Sequence, residues 1–508
     1  MTAVPSTAIV IGAGFSGMAS ALILARHGCK VTLVERAARP GITMRGFSRK
    51  GVYYDSGLHF VGELSEQGVL RAYLRYLGLG DLPLVDFDPE AFEVFRFSDG
   101  SSFSLPMGHE AMTRALVSAF PGEERGIREY MEETRRAYAA SAFNTLDGSF
   151  AISGERDPRW QVSLEAMLDQ YVTTPRARTI LSSAGWLYGV SPRDVPFLLH
   201  ARVAGSHFDC VRMFKGGGIS LIKACEQRLK EEGVTLLCGS GVRRILFSSA
   251  STLTGVELDN AEQVAGETVI YTGHPAYLPE MLPENVLKPV FRNRLRLLAD
   301  GASAHMLFLS GKTCPEALRG RNLVVFRHDE PFADAFAPGR LPSQGPFYVL
   351  PGSSFQETGG AAKTGEAAVG IVALVIGDAG EYARFQASTR GNRPREYKDL
   401  KKERLSQFAE ALFAACPDLS GLDILDGATP LTLRDWLHSP QGGLYGSAHN
   451  MTQFNPIPIT RVPNLYAAGQ AVAAPGLMGT AISAFLTCGC ILGHEALLRE
   501  VRSCKRDA

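Results

Sequence analysis

Residues 7–35 read TAIVIGAGFSGMASALILARHGCKVTLVE, and how this stretch is parsed decides the fold. Its hydropathy resembles that of a signal peptide or a membrane helix. A basic n-region is missing, however, and glycines at 12, 14 and 17 interrupt it at fixed spacing. The better parse is a short β-branched strand over 8–11, a glycine turn, a helical pattern ending at Gly28, and a second strand, KVTLVE, closing on Glu35. This is the strand, G-x-G-x-x-G, helix, strand, acid order of a dinucleotide site. Gly12 permits the tight turn, Gly14 lets backbone approach a pyrophosphate, and Gly17 lets the helix pack closely on the strand. The pyrophosphate then meets free N–H groups at the positive end of the helix dipole. Glu35 is expected to accept hydrogen bonds from the adenosine ribose. The fingerprint alone does not separate FAD from NAD.

At 508 residues the chain predicts two or more lobes with sizeable cores. Lys plus Arg and Asp plus Glu balance at 52 each, so charge supplies no argument for nucleic acid or an anionic membrane. Nine cysteines are scattered without CxxC pairs or zinc spacing, which points away from metal and disulfides and toward cytosolic thiols. Other apolar runs, such as AAVGIVALVIG at 367–377, are shorter than the roughly 20 residues of a spanning helix. A soluble, cytoplasmic chain without signal peptide or transmembrane helix is the expectation.

The C-terminal stretch RVPNLYAAGQ (461–470) reads as a turn, a buried strand and the pair Gly469-Gln470. A small-residue segment follows that turns helical near Met478. A helix starting there would aim its N-terminus at a partly negative group such as the N1/O2 edge of a reduced flavin, or would simply pack in a core. No GxSxG, HExxH or DxDxDG motif is present. No histidine is paired with a carboxylate at helical spacing in a plausible site. The other glycine turn, LLCGSGVRRILF, carries Arg244 in place of the third glycine and leads into a strand, so a second nucleotide domain is not expected.

Beyond the fingerprint, DSGLHFVG (55–62), FPGEERGIREYM (120–131), FKGGGISLIKACEQRLKEEGVTLLCGSGVRRI (214–245), TPLTLRDWLHSPQGGLYG (429–446) and NLYAAGQAVAAPGLMGTAISAF (464–485) follow in order. With these segments the chain resembles the phytoene desaturase superfamily of flavoproteins, in its retinol saturase and carotenoid isomerase branch. The resemblance implies an α/β fold like that of monoamine oxidase and phytoene desaturase. A discontinuous Rossmann-type FAD-binding domain would hold an inserted mixed α+β substrate domain. We assign 1–105, 207–285 and 440–508 to the first and 106–206 and 286–439 to the second.

The same resemblance implies an FAD site. Gly12, Gly14, Phe15, Ser16 and Gly17 would surround the pyrophosphate, with Glu35 and Arg36 at the adenosine end. The backbone of Val242 would meet the adenine. Gly469 and Gln470 would lie near the ribityl and phosphate oxygens, and Leu477, Met478 and Gly479 beside the flavin pyrimidine. One departure is RPGITMRGF (39–47), where Ile42 occupies the usual second glycine position, which puts phosphate approach in doubt. Arg45 either supplies an anchoring charge from a shifted position or is an ordinary surface arginine.

The loop holding Leu58 and His59 matches the family segment along the flavin ring. His59, read alone, fits a packed histidine better than a catalyst. The resemblance makes a direct role, by hydrogen-bonding the flavin or supplying a proton, an equal alternative. The implied reaction is hydride exchange with flavin N5 at C–C or C=C bonds of a long apolar polyene, carotenoid, retinoid or other lipid. Desaturation or saturation is favoured over redox-neutral cis–trans isomerisation. Amine or porphyrinogen oxidation is a further reading, and a flavin-free lipid carrier resembling GDP-dissociation inhibitors is the non-enzyme one. The electron partner is open. Such a substrate suggests peripheral membrane contact, for which the helical stretch 122–143 is one candidate and a solvated charged face the other.

Overall fold

The strand Thr7–Ile11 lies at the centre of a five-stranded sheet in the computed structural model, which describes residues 4–147, 157–249, 252–352 and 369–505. Its neighbours are Lys30–Glu35 and Thr268–Tyr271. Beyond them lie Thr235–Cys238 on one side and Leu465–Ala467 on the other, and every pairing is parallel. A central parallel strand is covered on both faces, which explains its unbroken apolar run. Alternate side chains feed separate cores. Ala8 and Val10 pack with the helix Phe15–Arg26, while Ile9 and Ile11 pack with the meander Val242–Ser249, Thr252–Leu258.

The second sheet has seven strands, in the order Asp423–Ala428, Ser303–Gly311, Val369–Gly377, Phe347–Pro351, Asn322–Val325, Glu93–Arg96, Ser102–Leu105. All pairs are antiparallel except Asn322–Val325 with Glu93–Arg96. Period-two alternation again sorts the faces. Leu307, Leu309, Phe347, Val349, Ile371 and Ala373 pack under Phe408 and Leu412 of the helix Arg395–Ala415. The intervening Met306, Phe308, Tyr348, Leu350 and Leu374 point the other way and wall a cavity.

Two boundaries differ from expectation. Residues 93–105 were assigned to the nucleotide domain, but both of their strands belong to the large sheet. Their ladder partner, Asn322–Val325, is far downstream, and no local pattern announces it. The helical stretch 122–143 is a short turn at Pro121–Glu123, the helix Glu124–Ala139 and a separate Ala142–Thr145. Ile127, Tyr130, Met131, Thr134, Ala137 and Tyr138 form its buried stripe. Ion pairs Arg125–Glu129, Arg128–Glu124 and Arg136–Glu132 cover its outer side. Among the described residues no helix is long and apolar enough to cross a membrane.

Candidate active site

Four parallel strands end on one cavity of about 1720 Å³, lined at their C-terminal ends by Ile11, Glu35, Tyr271 and Ala468. Ligands of open α/β sheets bind at this edge. The volume exceeds the roughly 300–1,000 Å³ of a pocket for one small ligand, so it has room for a large cofactor and a substrate together.

The glycine turn is built as its spacing requires. Gly12 has φ +101°, and a Cβ there would come within 2.5 Å of Thr272 Oγ1. A Cβ on Gly17 would stand 1.9 Å from the Gly12 carbonyl oxygen, so only glycine lets the helix seat on the turn. Gly14 has nothing within 4 Å of an added Cβ and lines the cavity. The helix Phe15–Arg26 begins there with no side-chain cap and no acid in its first turn, which leaves its N–H groups for a ligand. At the next strand end, Glu35 accepts from the N–H of Ala13 and of Ala37, both at 2.8 Å. Each carboxylate oxygen keeps a second lone pair for a ribose hydroxyl.

The C-terminal segment meets the same cavity. Gly469, with φ +105°, follows the edge strand and donates its N–H to Ser483 Oγ at 2.9 Å. The helix Gly476–Leu492 also starts without a side-chain cap or a first-turn acid, and Leu477, Met478 and Gly479 line the wall. Two uncapped helix N-termini and an acid thus face one space with the donors and acceptor that a dinucleotide such as FAD needs. Phe15, Ser16, Arg36, Leu58, His59, Val242 and Gln470 line it as well.

Arg45 differs. Its Nη2 pairs with Glu226 Oε1 at 2.9 Å and its Nε donates to the Pro40 carbonyl, so the guanidinium anchors the loop rather than lining the cavity. The Ile42 departure is also explained. Gly41, with φ +68°, takes the left-handed conformation and docks its N–H on the Ala13 carbonyl at 2.8 Å. Ile42 itself has no positive φ and turns its side chain to the cavity opening.

His59 lines the cavity beside Leu58. Its Nδ1 is buried and makes no hydrogen bond within the protein. Burial pushes the imidazole below its ordinary pKa, against the opposing charge of Asp55, so the ring is neutral near pH 7.

Sequence reasoning missed a second histidine on this wall. His274 follows the strand Thr268–Tyr271, and its Nε2 stands 2.9 Å from Oδ1 of Asp300. His274 Nδ1 accepts from the Ala276 N–H at 3.2 Å, which leaves Nε2 as the ring nitrogen that carries a proton. The other oxygen of Asp300 accepts from the Ser439 hydroxyl, the Gln441 N–H at 2.7 Å and the Gly443 N–H at 3.3 Å. Burial would raise this carboxyl, but His274, Ser439 and the Gln441 N–H outweigh it and hold it below the usual carboxylate range. The two residues are separated in sequence and lie on different elements, so no spacing rule joins them. The available signal was the place of His274, just past a parallel strand's C-terminal end.

A model of the flavin containing amine oxidoreductase family matches residues 15–319. The all-trans-retinol 13,14-reductase of Rattus norvegicus is 23% identical over 541 aligned residues, covering 98% of this chain and 88% of that protein. The hydroxyneurosporene desaturase of Rubrivivax gelatinosus is 26% identical over 520 residues, covering 96% and 93%. Among solved structures, an oxidoreductase from Methanosarcina mazei shares the fold with a TM-score of 0.66 at 16% identity, over 94% of this chain and 98% of that one. The chain belongs to the flavin containing amine oxidoreductase family, in the phytoene desaturase and retinol saturase branch, and is an FAD-dependent oxidoreductase.

Proposed function

We propose that this enzyme oxidises or reduces carbon–carbon bonds of a long apolar polyene, carotenoid or retinoid in character. The observation that carries the reading is the cavity wall opposite the nucleotide turn. There the large sheet presents Met306, Phe308, Leu350 and Leu374, with Trp186 and Leu444 beside them, a surface that orients an apolar chain and excludes water. The relatives named for retinol and hydroxyneurosporene act on polyenes, which supports the same class here.

In this reading Gly12, Gly14, Phe15, Ser16 and Gly17 hold the FAD pyrophosphate, and Glu35 holds the adenosine ribose. When bound, FAD supplies the two-electron donor or acceptor for hydride exchange with a substrate carbon. Asp300 brackets the 439–443 loop against the cavity. His59, neutral and with Nδ1 unclaimed by the protein, is the group placed to take the proton of the neighbouring carbon in desaturation, and in saturation it would give that proton back only from its protonated form. Saturation and desaturation both need that proton, and isomerisation leaves no net change.

A substrate of this kind comes from a bilayer, and the surface offers a docking face for one. Among the described residues, six of thirteen exposed large apolar side chains lie in two segments, Val290 and Leu297 in one and Met451, Phe454, Ile457 and Ile459 in the other. The Phe291 and Phe454 rings join these segments at 5.9 Å. Lys288, Arg294 and Arg461 are exposed among them and complement anionic headgroups. A second copy related by a two-fold axis would instead bring these like charges together.

The test is anaerobic mixing of the purified yellow protein, oxidised and reduced in turn, with all-trans-retinol and with phytoene. A change in flavin absorbance together with a shifted polyene spectrum is expected. No flavin change, no product and no isomer change with either lipid would overturn the reading.

A further inference from the structure

The helix Gly476–Leu492 is apolar on nearly every side, and eleven of its seventeen residues are buried. One stripe runs through Met478, Ile482, Leu486 and Cys490, four residues apart, with Ile482 buried and the other three half-buried, and His494 continues the line after the break at Gly493. A helix stripe that faces bulk water carries polar or charged side chains. This one has none within the helix, and all five residues line the cavity. It therefore faces enclosed apolar space.

The dimensions define an arm of the cavity. At 1.5 Å per residue, Met478 to Cys490 spans about 18 Å. Leu58, His59 and Phe60 line the same cavity and lead into the strand Val61–Gly62, which packs on this helix, and Val203 and His207 are also on the wall, with the Phe60 and His207 rings 5.5 Å apart. The far end is closed by Phe143 against His494, their rings 6.2 Å apart and edge to face. Cys490 Sγ lies 3.8 Å from His494 Nε2 there. Burial raises this thiol to about 11, so it stays neutral, as an apolar lining requires. Met478 and Leu486 give the wall adaptable, branched and unbranched surface without a fixed polar anchor.

We propose that this arm binds the distal chain of an extended apolar polyene whose reacting bond lies at the Leu58 and His59 end. The inference rests on the polyene reading above, and it adds where the chain lies and which side chains measure its length. Blocking the arm at its far end should penalise long substrates first, and blocking it midway should penalise all of them.

Cys490→Trp and Leu486→Trp test this, with flavin content and melting temperature confirming that each variant is folded. Turnover and equilibrium binding are measured with a C20 and a C40 all-trans polyene. Cys490→Trp should lower kcat/KM and affinity for the longer polyene about tenfold or more, with a smaller effect on the shorter one. Leu486→Trp should weaken both. If a tryptophan variant fails to fold, Cys490→Leu gives a milder filling with the same direction. Wild-type turnover with an unchanged chain-length profile in flavin-loaded variants would overturn the arm and leave the polyene reading standing. A wild type that binds and turns over neither polyene would overturn the reading beneath it.

Discussion

His274 Nε2 stands 2.9 Å from Asp300 Oδ1, and the same buried carboxylate holds the Ser439 hydroxyl and the Gln441 and Gly443 N–H groups. One acid thus ties together a strand end and the 439–443 loop at the cavity wall. Asp300→Asn keeps the size but turns an N–H₂ toward groups that need an acceptor. It should cost about 3 kcal/mol, the scale of leaving buried donors without their charged acceptor, read by urea unfolding at pH 7. The folded-state pKa of Asp300 is depressed, so its contribution is present above the ordinary carboxylate value and is lost as pH falls through the folded one. Wild type and Asp300→Asn should therefore converge in stability in strong acid. A constant difference down to pH 2 would remove the carboxylate from this role.

The glycine turn gives a paired prediction. Gly17→Ala drives a Cβ to 1.9 Å from the Gly12 carbonyl, where backbone must move, so the fold itself should suffer. Gly14→Ala meets no protein atom within 4 Å, but its methyl enters the cavity. The second variant should fold with the melting temperature of the flavin-free wild type and retain little FAD. Full flavin content in Gly14→Ala would show that the pyrophosphate does not lie there.

How much of this was legible follows from how locally each feature is encoded. The dinucleotide unit was readable because strand, turn, helix and acid fall within residues 7–35 and each reports on the next. The Ile42 departure was visible too, but its resolution was not. That Gly41 carries the positive φ depends on docking against Ala13 across the turn. Arg45 has an arginine's reach in every direction, and its choice of Glu226 is made by a helix far along the chain. The Glu93–Arg96 strand and the His274–Asp300 contact are likewise set by topology, where pairing partners come from distant segments.

Acid sensitivity should come from buried histidines. His200 sits between the Tyr130 hydroxyl at 3.0 Å and the Tyr188 hydroxyl at 3.1 Å, and burial pushes it down to about 3. His305, buried beside Tyr382, is also pushed to about 3. Their unfolded pKa is about 6.5, so below that pH the unfolded chain binds protons that the native chain refuses. Stability should fall from pH 6 to pH 4 by about 1.4 kcal/mol per pH unit for each such ring. His200→Gln should be less stable at pH 7 yet show a shallower decline, by about one proton's slope. An unchanged slope would mean that His200 is protonated in the native state.

His59→Ala should leave the flavin content near normal, since the Nδ1 makes no hydrogen bond that holds the loop. Loss of a general acid or base should lower turnover by about a hundredfold or more. Because burial depresses its pKa, no rate change from His59 ionisation should occur between pH 7 and 9 in the wild type. Unchanged turnover in a flavin-loaded His59→Ala would return this residue to packing.

The surface of Val290, Leu297, Phe454 and Ile457 should bind bilayers through two separable terms. The apolar tips contribute by burial and the basic side chains Lys288, Arg294 and Arg461 by attraction, which salt screens. Leu297→Glu with Val290→Glu should abolish cosedimentation with phosphatidylserine vesicles, since each change replaces apolar burial by charge repulsion. Lys288→Gln with Arg294→Gln should instead weaken binding about tenfold at low salt and much less at high salt, where attraction is already screened. All four positions are exposed, so turnover of a detergent-solubilised polyene should be unaffected in either variant. Salt-independent binding would remove the basic term, and a dimer by light scattering that both variants disrupt would assign this face to a second copy of the chain rather than to lipid.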